Sequence, residues 1–269
     1  MLKIPFVTWS ESTAYEKSWQ RWLTLPLVKF LVRSSTATIA AGSRAKQYLL
    51  SLGARADSLY IAWYTVDTTT LTDNSKHITS KQKQQLKSKL NIPDTHLVVL
   101  YVGQFIERKG LLQLLQVAAS LKNDLVSIIC VGYGPLQTKM QTYKKTHSLK
   151  NLHIQTYVPN QKIHEFYTLS DVFILLSLEE TWGLVVNEAM AAGKPVVVSK
   201  YAGSSDDLVK GNGYIVDPNN VEDIAGKIRY MATHPQQRKQ MGQKSEKIIA
   251  TFTLAQNCNV VSEIATTYA

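Results

Sequence analysis

Leu175-Leu-Ser-Leu-Glu-Glu-Thr-Trp-Gly-Leu-Val-Val-Asn-Glu-Ala-Met-Ala-Ala-Gly-Lys-Pro-Val-Val-Val198 reads as strand, loop, helix, turn and strand. Asp171-Val-Phe-Ile-Leu-Leu176 is a short apolar run with polar bounds, the pattern of a buried strand. Glu179, Glu180 and Thr181 open a loop, Trp182-Gly183 leads into a helix over 184–192, and Gly193 followed by Pro195 ends it. Glu180 and Glu188 stand eight positions apart, one in the loop and one about a helical turn inside, so both can face one crevice. The N–H groups of Trp182, Gly183 and Leu184 at the helix start lack intrahelical acceptors and favour an anion. Carboxylates suit hydroxyls, so the local chemistry points to a ligand carrying both phosphate and sugar.

The same alternation continues outward. Strands are predicted at 97–102, 126–131, 152–156, 172–176, 195–199 and 214–216. Helices are predicted at 110–121, 136–147, 161–169, 221–233, 235–250 and 254–268. Such alternation implies an α/β fold with a parallel, doubly wound sheet and right-handed crossovers. Ligands of these sheets bind outside the carboxyl ends of the strands. Gly103, Gly132, Gly134 and the Glu180 loop all fall at such ends.

Residues 1–70 are less regular. Short strands are predicted at 4–7, 37–41 and 59–63, a loop at 9–13, and a helix at 44–52 with Ser43 as its cap and Gly53 as its stop. Residues 15–32 carry Trp19, Trp22, Leu23, Leu27, Phe30 and Leu31 at helical spacing, divided by Pro26, with Lys17, Arg21, Lys29 and Arg33 nearby. The favoured reading is a helix packed in a domain core with a solvated basic face; the other is a basic amphipathic element on an anionic membrane. The polar stretch 68–79 reads as a linker. The expected division is 1–70, a main domain over 71–250, and a terminal helix in 251–269 that packs back on the first unit.

The 269 residues carry a net charge of +10, which suits an anionic partner. No arginine-rich tail or aromatic RNA-binding motif is present, so nucleic acid is not expected. Cys130 and Cys258 lie far apart without metal-ligand spacing, and Cys130 sits in a predicted buried strand. A reduced, cytoplasmic setting is expected. No secretory leader is read at the N-terminus, and no run of 18 apolar residues spans a bilayer. Asp206-Asp207 reads as a helix start rather than a metal pair. His96, His153 and His164 fall in or beside regular elements and read as structural, and no nucleophilic triad or Walker motif occurs.

The string from Glu180 to Val198 resembles the E-x7-E signature of glycosyltransferase family 4. Gly103-Gln-Phe-Ile-Glu-Arg-Lys-Gly110 resembles that family's G-R-x-x-x-x-K-G loop, with Gln104 in place of the usual arginine and Arg108 as a substitute charge. Val131-Gly-Tyr-Gly-Pro135 resembles its G-x-G-P turn, Thr156-Tyr157-Val158 the segment whose backbone meets the base, and 202–218 its closing loop. The resemblance implies the two-domain GT-B fold and retaining transfer from a nucleotide-diphosphate sugar to a glycan or lipid-linked acceptor, in polysaccharide or cell-envelope biosynthesis. It implies no cofactor and no metal, the nucleotide sugar being a co-substrate. Lys109, Arg108 and Glu180 would be catalytic. Gly103, Gln104, Gly132, Gly134, Tyr157, Val158, Trp182, Gly183, Leu184 and Glu188 would bind donor, with Glu188 on the ribose and Glu180 on the sugar.

The resemblance covers about residue 37 onward and enters the family pattern late: the first part of the N-terminal, acceptor-side domain is missing from it. A second expectation follows, that the chain is a nucleotide-sugar-binding fragment, or one subunit of a split enzyme whose N-terminal half is a separate chain. The expected location is the cytoplasm, with the inner face of the membrane as a candidate peripheral site.

Overall fold

The computed structural model describes residues 4–16, 19–76 and 78–268. Lys17, one of the basic residues noted above, lies outside them. The main sheet has six parallel strands: β4 (Leu97–Val102), β5 (Val126–Val131), β6 (Leu152–Gln155), β7 (Val172–Leu175), β8 (Val196–Ser199) and β9 (Gly213–Val216). Their spatial order is β6-β5-β4-β7-β8-β9. β4, β5, β7 and β8 are buried almost throughout, as expected of strands covered on both faces by crossover helices. The crossover helices are α5 (Leu111–Ser120), α6 (Gln137–Thr146), α7 (Ile163–Leu169) and α8 (Leu184–Ala191), and α10 (Val221–Thr233) and α11 (Pro235–Ile249) follow the last strand. The chain builds outward from β4 to β6, then returns to β7 on the other side. The β4/β7 boundary is therefore where the connections diverge and a crevice opens at the carboxyl edge.

A smaller parallel sheet has the order β1-β2-β3, from Val7–Ser10, Ala37–Ala40 and Leu59–Ile61. The first strand begins where the sequence reading ends it, and Trp9-Ser10 are strand rather than loop. Each element here is completed by contacts from afar. α2 (Ser43–Leu52) starts one residue earlier than expected, and Ser43 is not its cap. Asp207, in the short helix α9 (Ser205–Leu208), accepts from Ser43 N–H at 2.9 Å and from its hydroxyl at 2.5 Å. Arg44 binds Asp206 at 2.7 Å and the carbonyl of Ala202 at 3.0 Å. α12 (Leu254–Tyr268) places Ile264 against Ala37, Ile39 and Ala62.

Two sequence expectations fail in this region. Residues 68–76 form a helix, α3, rather than an open linker; its Thr72 hydroxyl donates to the Ala191 carbonyl at 3.1 Å, docking it on α8. α4 (Ser80–Lys89) follows with a Thr79–Gln82 capping box. α1 (Trp19–Ser34) runs through Pro26 and does pack on α2, through Leu25, Val28 and Val32. Yet Trp19, Trp22, Leu23, Leu27 and Phe30 all face solvent. The helix is apolar on two sides and only one is covered, which periodicity alone does not reveal.

Burial raises the Asp207 carboxyl above its ordinary range, while the two Ser43 hydrogen bonds oppose that shift. Asp207→Ala removes both acceptors and leaves the buried start of α2 without them. The expected loss is about 1–3 kcal/mol in urea unfolding, with Asp207→Asn losing less because its carbonyl still accepts.

Candidate functional site

The crevice at the β4/β7 boundary is built by three loops. The first leaves β4 at Gly103 and turns through Glu107–Lys109 into Gly110, whose left-handed backbone (φ 70°) starts α5. A Cβ on Gly110 would lie 1.9 Å from the Leu176 carbonyl oxygen, so glycine lets this loop sit directly on the end of β7. The Leu178 N–H donates to the Arg108 carbonyl at 2.8 Å and ties the two loops together. The third loop, after β8, joins them where Gly203 N–H donates to the Glu180 carbonyl at 3.0 Å.

The polar centre of this knot is an ion pair between Lys109 Nζ and Glu180 Oε2. The Ser177 hydroxyl donates to the same carboxylate oxygen at 3.2 Å. Glu180 is buried and Lys109 only slightly open, so both charges are held with few alternatives in solvent. Arg108 and Gln104 are exposed at the rim. The Gln104 carbonyl accepts from the buried Tyr101 hydroxyl at 2.9 Å, which anchors the loop from below; burial raises the Tyr101 phenol well above its ordinary value.

α5, α6 and α8 all begin at this edge. None has a side-chain cap, and α8 starts at Gly183 with φ 96°. Their first N–H groups and the positive ends of their dipoles therefore favour an anion in the crevice. Trp182 takes a different part from its neighbours. Its ring is buried under Gly42, where an added Cβ would meet it at 2.3 Å, and its indole N–H donates to Asn187 at 3.0 Å. Asn187 in turn donates to the Tyr64 carbonyl at 3.3 Å. Only the backbone of Trp182 remains for a ligand.

The glycines of the Gly132-Tyr-Gly134 turn serve loop packing. Cβ atoms there would fall 1.8 Å from the Gly103 carbonyl oxygen and 2.6 Å from that of Phe105. Phe105 N–H donates to the Tyr133 carbonyl at 2.7 Å, which seals the turn against the first loop. The loop after β6 stands next to this turn, since Gly132 N–H donates to the Gln155 carbonyl at 2.9 Å. There Tyr157 is exposed, and Val158 packs partly against the core.

Glu188 lies within α8, and its Oε2 accepts from the Tyr167 hydroxyl at 2.5 Å. Burial raises the Glu188 carboxyl above its ordinary value, and the Tyr167 bond partly offsets this. Tyr167 itself is fully buried in α7. Tyr167 and Ser177 are absent from the sequence-derived site. A buried tyrosine needs a partner for its hydroxyl, but which partner is a tertiary fact.

The fold overlays on solved structures. HepE of Anabaena, in complex with UDP, superposes with a TM-score of 0.84 over 98% of this chain and 72% of its own, at 19% identity. Among curated relatives, the lipopolysaccharide 1,2-N-acetylglucosaminetransferase of Salmonella typhimurium is 30% identical over 62% of this chain and 47% of its own. The N-acetyl-alpha-D-glucosaminyl L-malate synthase of Bacillus anthracis is 25% identical over 68% and 48%. The chain spans about half the length of the curated relatives it matches. The fold is that of GT-B glycosyltransferase structures. Residues 82–248 match the family described as glycosyl transferases group 1, a span that contains Lys109, Glu180 and Glu188, and the chain belongs to that family.

Proposed function

We propose that the chain binds a nucleotide-diphosphate sugar in the β4/β7 crevice and takes part in retaining transfer of that sugar to a glycan or lipid-linked acceptor. The observation that carries this reading is the buried Lys109–Glu180 pair at the switch point of the sheet, facing three uncapped helix starts. Lys109, with Arg108 at the rim, stabilises the negative charge that grows on the leaving diphosphate. Glu180 holds sugar hydroxyls beside it, and Glu188 holds the ribose, so the donor is oriented before reaction. Gly103, Gln104, Gly132, Gly134, Tyr157, Val158, Trp182, Gly183 and Leu184 contribute backbone and shape around the donor. The proposed reaction needs no metal and no cofactor from this chain, and its setting is the cytoplasm, in polysaccharide or cell-envelope assembly.

A second reading is favoured by the small sheet: among the described residues β1 pairs with β2 alone. In that reading this chain supplies the donor half, and turnover awaits an acceptor-side half. Calorimetry with UDP, GDP and ADP, followed by incubation with radiolabelled UDP- and GDP-sugars, separates the readings. Binding with transfer or hydrolysis supports the first, and binding without turnover supports the second. No binding of any nucleotide rejects both.

Tyr167→Phe tests the placement of Glu188. Loss of one hydrogen bond of about 1–1.4 kcal/mol corresponds to an about five- to tenfold weaker affinity for a ribonucleoside diphosphate. Affinity for free pyrophosphate is expected to stay unchanged, as is the melting transition within a few degrees.

A further inference from the structure

We infer that a hollow beside β6 is a second anion site, taking a small ligand that carries two or more phosphate groups. The inference does not depend on the donor chemistry. The hollow, of about 850 Å³, lies where the carboxyl ends of α4 and α6 meet β6, the edge strand of the main sheet. Lys89, Lys144, Lys145 and Lys150 line it, and among the described residues no carboxylate does. α6 begins at the donor crevice, and its ten residues span about 15 Å before its far end reaches the hollow. No residue of the Lys109–Glu180 site borders it.

Helix carboxyl ends attract lysine, and edge strands use it to deter pairing. Neither need accounts for this cluster. Each helix end carries about half a negative charge, so the two ends offset about one of the four ammonium groups. Their last carbonyls are already occupied. Ile92 N–H donates to the Lys87 carbonyl at 2.9 Å and Asn91 N–H to that of Ser88 at 3.0 Å. Leu149 N–H and Ser148 N–H close α6 in the same way, on the Lys144 and Lys145 carbonyls at 2.9 and 3.2 Å. For these closures Asn91 and Ser148 adopt left-handed backbone, φ 55° and 53°, and they are the non-glycine residues that do so among the described residues. The four lysine side chains are left over: among the described residues none makes an ion pair or a hydrogen bond. Residues 74–93 and 125–164, which supply every lining residue, contain no Asp or Glu. Glu165 borders a neighbouring hollow with Lys83 and Lys89 rather than this one. His153 lines the hollow from β6; it is 9% exposed, and its Nε2 has no hydrogen-bond partner. Edge protection and helix-end compensation ask for exposed charge, whereas a buried polar atom without a partner asks for a ligand. Burial, with Lys144 beside it, holds the His153 imidazole down at about 4, and an anion in the hollow opposes that shift. A phosphate group carries about 1.5–2 negative charges near neutral pH, so one leaves the cluster positive and two balance it. The volume is that of a small-molecule site.

The test titrates inorganic tripolyphosphate into the intact chain by calorimetry at low ionic strength, and repeats the titration with Lys109→Met/Glu180→Gln, which neutralises the donor crevice. Saturable binding is expected to persist in that variant. Should the donor reading fail, the two proteins bind identically, and the hollow is still tested by its own substitutions. Lys89→Ala/Lys150→Ala, added to either protein, is expected to weaken the persisting site at least tenfold with the melting transition unchanged, because both side chains are exposed. Lys239→Ala/Lys244→Ala, which removes the same charge from α11, is expected to bind as its parent. Nuclear magnetic resonance of the histidine rings gives a second readout: saturation with tripolyphosphate is expected to raise the pKa of His153, and to leave it unmoved in Lys89→Ala/Lys150→Ala. Absence of tripolyphosphate binding in Lys109→Met/Glu180→Gln overturns the proposal. Equal losses in the two lysine pairs also overturn it, since they assign the binding to diffuse charge. So does tighter binding of a short single-stranded RNA that Lys89→Ala/Lys150→Ala abolishes, since that result assigns the lysines to a nucleic-acid strand.

Discussion

Lys109→Ala is expected to weaken nucleoside-diphosphate binding by more than tenfold in calorimetry. A charge-assisted hydrogen bond to phosphate is worth about 1.5–3 kcal/mol, and tenfold requires about 1.4. The same substitution strands the buried Glu180 carboxylate, which loses its cation and keeps only Ser177. Breaking a buried pair in this way costs about 3–5 kcal/mol of stability. A drop in affinity from Lys109→Ala alone therefore mixes lost contact with lost structure. Lys109→Met/Glu180→Gln separates them by neutralising both partners at once. This double variant is expected to melt close to wild type and still to bind UDP or GDP more than tenfold more weakly. Glu180→Gln by itself removes the acceptor that competes with phosphate for Lys109. It is expected to bind the free diphosphate at least as tightly as wild type while binding the sugar-bearing donor more weakly. Wild-type affinity in the double variant would remove Lys109 from the site.

The sheet and its carboxyl edge are legible in the sequence because their signals are local. β4 is an uninterrupted apolar run and β5 is broken only by Ser127, each is followed by glycine, and a strand buried on both faces permits little else. The positions of Lys109 and Glu180 at strand ends follow from the same pattern. Their pairing does not, because it joins residues 71 apart through a register that only the folded sheet defines. Asp207 as the cap of α2 is hidden for the same reason: Ser43 has the right chemistry in the right place, and a carboxylate 164 residues away supplies the acceptor instead. The packing role of glycine is tertiary in the same way. The turn at Gly132 and Gly134 is legible, but not that a Cβ at either position would meet the backbone of Gly103 or Phe105. In α1 the spacing of apolar residues gives the helix correctly but not which of its two apolar stripes the protein covers.

Glu188→Gln is expected to lose ribonucleotide affinity and gain stability together, a pairing that a purely structural glutamate would not show. Burial holds the Glu188 carboxyl above its ordinary pKa of 4.5, with the Tyr167 hydroxyl as partial compensation. The sign follows from proton linkage. An acid whose folded pKa is raised binds its proton more tightly in the folded chain, so its contribution to stability is present below the unfolded pKa and lost as pH rises through the folded one. Near pH 7 the folded chain therefore bears the cost of an ionised, partly buried carboxylate. Glutamine keeps an oxygen for the Tyr167 hydroxyl and has no charge to desolvate. Urea unfolding of Glu188→Gln at pH 7–8 is expected to show a gain in stability. The gain should shrink toward pH 4, where the wild-type carboxyl is protonated. Binding should move the other way. A carboxylate accepts from both ribose hydroxyls, and an amide replaces one acceptor with a donor. The affinity for UDP or GDP is expected to fall by tenfold or more, with a smaller loss for the 2′-deoxy analogue and none for free pyrophosphate. Equal losses for pyrophosphate and nucleotide would place Glu188 away from the ribose. A destabilised Glu188→Gln would make its carboxylate a structural partner of Tyr167 and nothing more.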